Sequence, residues 1–434
     1  MTQAIDIFLQ EIADIFAFTR KDALEMIVAF HEEMENGLKG KRSSLKMLPS
    51  FTRRPKGNEK GNVLAIDLGG TNMRVLAVRL LGNGKVETIG VKRFSLEKDI
   101  VSKTEDVFFD FIADCVSVFL KEHDLDFSCE VGFTFSFPVV QTSISSGILV
   151  SWTKGFTVEG VEGHDVVGLL SKAFKRKGLE SLKLVALVND TVGTLVTKSY
   201  ANPLCDLGVI LGTGTNAAYP ERIDRIKKYK GPWDSDEMII NIEWGGFDRI
   251  KRTIYDEKLD RDSENPGNQR MEKMVSGRYL GEIARLIIKE AFNKGFFGAK
   301  AIKDYFSKPY SLTTEKLSLL ASDGDTINAS GTESISYEDI WAIKEIGRTV
   351  SKRAARIAAT AIASVVTHMD RNLASEHIIA VDGSLFEKYR GFREHMEIML
   401  EEIFQDSKDK IQLSLTHDGS GIGAAIIAAS LSFR

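Results

Sequence analysis

The feature that most restricts the fold is a pattern of apolar run, short turn rich in Gly, Thr and Asn, and second apolar run, which occurs twice. An apolar run without polar alternation is typical of a strand buried on both faces of a sheet. The glycines allow a tight reversal, so each pattern predicts a β-hairpin. The first pattern comprises Val63–Ile66, Asp67–Asn72 and Met73–Leu80, and the second comprises Leu207–Leu211, Gly212–Asn216 and Ala217–Tyr219. This recurrence predicts a duplicated architecture with two similar halves.

Other segments predict helices and further strands around these hairpins. Thr19 and Asp22 have the spacing of a capping box that opens a helix. Helical patterns are expected within residues 1–48, from about Gln269 to Ala291, and within 340–369. Three more buried strands end in polar or glycine-containing turns: 184–188 before Asn189 and Asp190, 378–381 before Gly383 and Ser384, and 413–416 before Gly419 and Ser420. Buried strands that alternate with helices predict the α/β class.

Composition narrows the class of partner. The chain has 434 residues, of which 43% are hydrophobic, as in an ordinary globular protein. Lys and Arg number 57 against 61 Asp and Glu, which leaves a net charge of −4. This balance argues against nucleic-acid binding and favours a small-molecule partner.

The sequence also bears on the cellular setting. The most apolar long segment, 340–369, is interrupted by charges such as Lys344 and Arg348, so no membrane span is expected. Acidic residues such as Asp6 and Glu11 argue against a signal or transit peptide. The 3 cysteines form no Cys-x-x-Cys pair, which argues against a disulfide framework and a zinc site. We therefore predict a reducing, cytoplasmic setting.

The two glycine turns suit phosphate binding. A turn without side chains can bring its backbone N–H groups against a phosphate, and hydroxyls such as those of Thr71 and Thr213 add donors. Neither turn is followed by Gly-Lys-Ser/Thr, and neither opens a helix with dinucleotide-binding spacing. The residues alone leave two alternatives open, namely two plain tight hairpins or two facing phosphate loops.

Several stretches in the same order make the sequence similar to a known family. They are Ile66–Asn72, Phe133–Pro138, Ser151–Phe156, Val188–Thr191, Leu211–Asn216, Ile242–Gly245, Asn265–Gly267 and Ser276–Glu282. Together they resemble the hexokinase family of ATP-dependent sugar kinases, and the similarity runs from about Leu45 to Ala429. Ile422 departs from the Lys or Arg usual in that family, and Gly193 stands where Ala is common.

The resemblance implies a fold and a division into domains. The fold would be the two-domain actin-like ATPase (ribonuclease H-like) fold of the α/β class, with ATP and sugar in a central cleft. The small domain would comprise residues 61–188 plus 420–434, and the large domain residues 1–60 plus 189–419. A monomer or a homodimer is expected.

The resemblance also implies the residues that act on the sugar. Asp190 matches the catalytic aspartate that accepts the proton of the sugar hydroxyl, a role for which a carboxylate is suited. From the residues alone, Asp190 could instead cap the helix that follows it. Lys154 matches the cation that faces the transferred phosphoryl group. The implied sugar-binding residues are Ser136, Thr153, Lys154, Asn189, Asp190, Asn216, Glu243 and Glu272.

The implied nucleotide site includes both glycine turns. Its residues are Asp67, Gly69, Gly70, Thr71, Asn72, Arg74, Gly212, Thr213, Gly214, Gly383, Ser384, Gly419 and Ser420. Mg²⁺ would be held by ATP oxygens and water, with Asp67 near its hydration shell and no direct protein ligand.

These matches predict ATP-dependent phosphorylation of a hexose, D-glucose first among them, at the 6-hydroxyl. The products would be hexose 6-phosphate and ADP, as in the first step of glycolysis. Two competing classes are a catalytically silent sugar sensor on the same fold and another actin-like ATPase. The second class has no reason to carry Thr153, Lys154, Glu243 and Glu272 together.

Overall fold

The computed structural model describes residues 2–125, 128–297, 305–321 and 336–432. The last two residues of the predicted segment 420–434 therefore lie outside the described part. The helices are α1 Thr2–Ile15, α2 Arg20–Leu38, α3 Glu105–Glu122, α4 Val166–Arg176, α5 Asp190–Ala201, α6 Ile254–Arg261, α7 Arg270–Val275, α8 Leu280–Asn293, α9 Thr314–Ala321, α10 Tyr337–Met369, α11 Ser384–Lys388, α12 Phe392–Phe404 and α13 Gly419–Ser432. The strands are β1 Leu48–Pro49, β2 Lys60–Leu68, β3 Asn72–Gly82, β4 Lys85–Ser95, β5 Cys129–Phe135, β6 Val139–Ser143, β7 Ser146–Leu149, β8 Leu182–Val188, β9 Cys205–Leu211, β10 Thr215–Arg222, β11 Glu237–Asn241, β12 His377–Asp382 and β13 Ile411–Leu415.

The two predicted hairpins each lie in a larger sheet. The first sheet has the order β4-β3-β2-β5-β8, and the second has the order β1-β11-β10-β9-β12-β13. In the first, β2 runs antiparallel to β3 and parallel to β5, which is parallel to β8. In the second, β9 runs antiparallel to β10 and parallel to β12, which is parallel to β13. The predicted duplication is confirmed, although β10 extends beyond Tyr219 to Arg222.

The helices α5 and α13 connect the two sheets. One buried cluster joins Val63 and Ala65 of the first sheet, Cys205 and Ala380 of the second sheet, and the apolar faces of both helices. The two helices approach closely, because a Cβ on Gly423 would lie 2.1 Å from the carbonyl oxygen of Gly193. Helix α13 also packs against β2 and β5. This packing places the C-terminal helix beside the first sheet, while the division into domains stays a prediction.

The expected helix over 269–291 is wrong as one continuous element. The structure has α7 ending at Val275 and α8 beginning at Leu280. The backbone becomes extended at Ser276, with φ −82° and ψ 156°. The next two amides bind outside the helix, since Gly277 N donates to Gly212 O at 2.8 Å and Arg278 N donates to Thr213 O at 3.2 Å. Hydrogen bonds to the second glycine turn thus replace the helical ones.

The N-terminal helices agree with the sequence prediction. Thr19 accepts from the backbone N–H of Asp22, and the Asp22 carboxylate accepts in return from the backbone of Thr19. The capping box is therefore confirmed. The helix it opens ends at Leu38.

Strand β5 and helix α13 lie so close together that a side chain at Gly132 would not fit between them. A Cβ on Gly132 would lie 2.2 Å from the carbonyl oxygen of Ala424, so Gly132→Ala would force backbone to move. We expect this variant to lower the free energy of unfolding by about 1–3 kcal/mol, the usual effect of overpacking. Equilibrium unfolding in urea measures the change.

Gly168→Ala is the matched control for this substitution. Its added Cβ would meet the nearest atom, Asp165 Oδ2, at an ordinary 3.5 Å, and the position lies within α4. Because Ala favours a helix interior over Gly by roughly 0.5–1 kcal/mol, this variant should be neutral or slightly stabilised. Equal stabilities of the two variants would contradict the tight-approach explanation.

Candidate active site

The predicted site residues follow the ends of neighbouring strands. In the first sheet, Leu68, Phe135 and Val188 end the parallel strands β2, β5 and β8. In the second, Leu211 and Asp382 end the parallel strands β9 and β12. The carboxyl ends of parallel strands lie at the same edge of a sheet, where α/β proteins commonly bind ligands. Each sheet therefore gathers its predicted residues at one edge.

The first glycine turn is a tight reversal with polar side chains at its tip. Gly69 N donates to Asn72 O at 3.0 Å and closes the turn. Asn72 Nδ2 donates to Thr71 Oγ1 at 3.0 Å, and both side chains are exposed. The turn leaves a hydroxyl and an amide available to an external ligand.

A charged network ties this hairpin to the start of α13. Asp67 Oδ2 accepts from Arg74 Nε at 3.0 Å and from Ser420 Oγ at 2.9 Å, and it also accepts from Arg74 Nη2. Arg74 in addition contacts the Asp418 carboxylate. Asp67 is 7% exposed, so water has little access to it. The ion pair with Arg74 balances its negative charge there. The predicted residues Asp67, Arg74 and Ser420 thus form one unit.

The second glycine turn contacts two later segments of the chain. Gly212 N donates to Gly214 O at 3.0 Å across the turn. Gly383 has φ 127°, and a Cβ there would lie 2.3 Å from the carbonyl oxygen of Leu211. Only glycine fits at that position, and the predicted segments Gly212–Gly214 and Gly383–Ser384 are in contact.

The start of α5 shows which residue caps this helix. Asn189 is the N-cap, and its Oδ1 accepts from Thr191 N at 2.9 Å. Asp190 is the first helical residue, and its Oδ1 accepts from the same N–H at 2.8 Å. The alternative that Asp190 is the cap is therefore wrong. Within the described residues, no hydrogen bond engages Asp190 Oδ2, which leaves that oxygen available to a ligand.

Asp382 is a neighbour of this site that the sequence analysis did not select. Burial raises the pKa of its carboxyl, and nearby Asp190 raises it further, whereas a bond from the Gly419 backbone and the charge of Arg74 act the other way. Asp382 therefore lies near Asp190 and near Arg74 and Gly419, which belong to the predicted nucleotide site. Its signal in the sequence was its position at the end of a buried strand.

Lys154 lies beside the first glycine turn. Its Nζ donates to Ser136 O at 2.6 Å and lies 5.1 Å from the centre of the Phe137 ring. A Cβ on Gly70 would lie 3.0 Å from Lys154 Cδ, so lysine and turn are in contact. Thr153 is exposed next to it. Ser136, Thr153 and Lys154 form a group at the first turn.

An amide–carboxylate cluster follows the second turn. Asn216 Nδ2 donates to Glu243 Oε1 at 3.0 Å and to Asn241 Oδ1 at 2.7 Å. Asn241 Nδ2 donates to Glu243 Oε1 at 2.9 Å. The sequence analysis missed Asn241, whose signal is a polar residue inside the apolar run Met238–Ile242. The cluster fixes one carboxylate oxygen with two amide donors.

Glu272 joins this cluster to the second turn. Its Oε2 accepts from Thr215 N at 3.0 Å. Burial raises the pKa of the Glu272 carboxyl, the Thr215 bond lowers it, Glu243 raises it and Lys154 lowers it, and the balance is upward. These charges show that Lys154, Glu243 and Glu272 are close enough to interact. The structure thus brings Lys154 to the first turn and Glu272 to the second.

The described residues contain no cluster of three or more His, Cys, Asp or Glu side chains placed to hold a metal ion. None of the helices within the described ranges is long and apolar enough to cross a membrane.

Comparisons with known proteins agree with this geometry. Two family models, both described as hexokinase, match residues 8–200 and 206–430. Hexokinase-1 of Arabidopsis thaliana is 41% identical over 430 residues, which cover 92% of this chain and 86% of that protein. Hexokinase-1 of Rattus norvegicus is 38% identical over 97% of this chain, which spans only 48% of the rat protein.

A solved hexokinase structure is also similar to this chain. The hexokinase from Schistosoma mansoni complexed with glucose has a TM-score of 0.88 and 35% identity, and the match covers 99% of this chain and 100% of that chain. The expected actin-like ATPase fold of the α/β class is thereby confirmed. The chain belongs to the hexokinase family.

Proposed function

We propose that the chain transfers the terminal phosphoryl group of ATP to the 6-hydroxyl of a hexose, with D-glucose as first acceptor. The products are hexose 6-phosphate and ADP, as in the first step of glycolysis. The observation that carries the proposal is the hydrogen bond from Thr215 N to Glu272, because it joins a carboxylate suited to sugar hydroxyls to the second glycine turn. The similar protein from S. mansoni was solved with glucose.

The proposed sugar site combines donors and acceptors. Each sugar hydroxyl both donates and accepts, and charged acceptors make the stronger bonds. Carboxylates of Glu243 and Glu272 accept, while side-chain amides and Lys154 donate. The proposed sugar-binding residues are Ser136, Thr153, Lys154, Asn189, Asp190, Asn216, Glu243 and Glu272.

Asp190 is the proposed base in the transfer. It accepts the proton of the 6-hydroxyl as that oxygen forms a bond to the terminal phosphorus of ATP. The bond from phosphorus to the bridging oxygen breaks, and ADP leaves with the electron pair. Lys154 stabilises the negative charge on the transferred group. Positioning and charge stabilisation supply most of the catalysis in phosphoryl transfer.

The nucleotide is proposed to bind between the two turns. The residues are Asp67, Gly69, Gly70, Thr71, Asn72, Arg74, Gly212, Thr213, Gly214, Gly383, Ser384, Gly419 and Ser420. Mg²⁺ would neutralise phosphate charge and would be carried by ATP oxygens and water, the ligands this ion prefers. Asp67 is proposed to lie near the hydration shell of Mg²⁺. Arg74 and Ser420 already donate to Asp67 Oδ2, so this carboxylate is not proposed as a direct ligand of the ion.

The competing functions have less support. A silent sensor would not need both a base at Asp190 and a cation at Lys154, and another actin-like ATPase would not need the Glu243 cluster. The cytoplasmic location and the monomeric or homodimeric state stay predictions.

Asp190→Ala tests the proposed chemistry. Loss of the base is expected to lower kcat by at least about 10²-fold, the lower end of what general base catalysis contributes. Glucose affinity should change by only a few-fold, because the other sugar-binding groups stay in place. Coupled ADP-release kinetics and titration calorimetry with glucose give the two quantities.

Asp262→Ala is the control, since that aspartate is exposed and its carboxylate pairs with the exposed Arg261. It should retain wild-type kcat and glucose affinity. An Asp190→Ala protein that keeps wild-type kcat would refute the assignment of the base.

The raised pKa of Glu272 predicts how sugar binding depends on pH. The ionised form accepts from Thr215 N, so glucose affinity should be full well above the raised pKa and should fall as pH drops toward it. The decline should begin above the range in which an ordinary glutamate, near 4.5, titrates. Calorimetry with glucose between about pH 8 and pH 5 checks this, because that range lies above the pKa of an ordinary glutamate and includes the pKa values of carboxyl groups raised by burial.

Glu272→Gln should bind glucose more weakly at pH 8 and should flatten the profile over this range. Glu25→Gln, at an exposed position on α2, should keep the wild-type profile. A wild-type profile retained in Glu272→Gln would assign the pH dependence to another group.

A further inference from the structure

Two sugar-side segments, one with Trp244 and one with Glu272, hydrogen-bond to one buried residue, Thr215. Its backbone N–H donates to Glu272 Oε2 at 3.0 Å, and its Oγ1 accepts from Trp244 Nε1 at 2.9 Å. Asn216, the next residue, donates to Glu243. Thr215 is 5% exposed and Trp244 is 0% exposed, so these bonds are made away from water. Glu272 and Trp244 are thus linked to Thr215 directly, and Glu243 is linked to the adjacent Asn216.

The same turn is held at its other end by the break between α7 and α8. Gly277 N donates to Gly212 O at 2.8 Å, and Arg278 N donates to Thr213 O at 3.2 Å. Glu272 belongs to α7, which ends immediately before these amides. One short helix therefore contacts the turn both through a carboxylate and through the backbone that follows it.

We propose that Thr215 is a positioning residue that couples the Glu243 and Glu272 carboxylates to the phosphate turn Gly212–Gly214. The proposal rests on the proposed function, because it assigns the sugar to the carboxylates and the nucleotide to the turn. A hexose that binds Glu243 and Glu272 would fix Trp244 and the Thr215 amide, and with them the orientation of the turn. Glucose then raises the affinity for nucleotide, and nucleotide raises the affinity for glucose by the same factor.

Thr215→Val is the direct test, since valine keeps the branched shape but cannot accept from Trp244 Nε1. The affinity for ADP with Mg²⁺ is measured by calorimetry with and without saturating glucose, and the ratio is the coupling factor. We expect the factor to fall about fivefold or more in Thr215→Val, the low end of typical coupling between sites. Thr215→Ser, which restores the hydroxyl, should recover it.

Steady-state kinetics should show a change for ATP that is absent for glucose. The KM for ATP should rise in Thr215→Val, while glucose affinity measured without nucleotide stays near the wild-type value. An equal loss of both affinities without any change in the coupling factor would mean a merely structural role and would overturn the proposal.

Gly277→Ala changes the contact at the Gly212 end of the turn and leaves the side chain of Thr215 in place. Its Cβ would lie 2.8 Å from Gly212 O and would displace the turn, so the coupling factor should fall here as well. Gly168→Ala, which adds the same methyl group in α4, should leave the factor unchanged. If Thr215→Val does not fold, the Gly277→Ala result decides.

The outcomes separate this inference from the proposed function. Wild-type protein that phosphorylates glucose while Thr215→Val and Gly277→Ala both keep the wild-type coupling factor would overturn the inference alone. A wild-type protein with no coupling between glucose and ADP would overturn it too. Wild-type protein that releases no ADP from ATP with any hexose offered would refute the proposed function and the inference together.

Discussion

The close approach of α5 and α13 is the constraint on which the rest of the structure depends. A Cβ on Gly193 would lie 2.6 Å from the carbonyl oxygen of Ser420, so these helices meet backbone to backbone. This contact leaves no room for a Cβ at position 193 unless the backbone moves. It also brings the start of α5, which carries Asp190, beside the start of α13, which carries Ser420. Residues distant in the chain become neighbours because two helices can nearly touch.

The two glycine turns are supported in different ways. The first is tied through side chains, since Asp67, Arg74 and Ser420 connect its strands to α13. The second is tied mainly through backbone groups, since amides of residues 277 and 278 bind its carbonyls. Side-chain ties depend on charge and are weakened by salt when they are exposed, whereas backbone ties depend on the path of the chain. The duplicated hairpins are therefore similar in topology and different in chemistry.

Local signals predicted most of the fold, and long-range contacts account for what they missed. Apolar runs and glycine turns identified both hairpins, and the Thr19 box identified the start of α2, because these patterns depend on residues close in sequence. The break after Val275 was missed because its cause is a turn more than 60 residues earlier, at Gly212. Asn241 was missed because the role of a single polar residue in an apolar strand depends on its contact with Asn216 on the neighbouring strand. Asp190 was weighed as the cap because Asp is a preferred cap residue, and the structure instead has Asn189 at that position.

Two of the proposed ligand-binding side chains stand on unusual backbone. Glu243 has φ 57° and ψ 50°, and Lys154 has φ 58°, both in the left-handed region that disfavours residues with a Cβ. Such a conformation costs roughly 1–2 kcal/mol per residue, and the surrounding structure must supply it when the chain folds. An arriving ligand then meets side chains that already point in a fixed direction, so little ordering entropy is lost on association. The left-handed backbone at these two residues would thus lower the stability of the fold and reduce the entropy that is lost when a ligand binds.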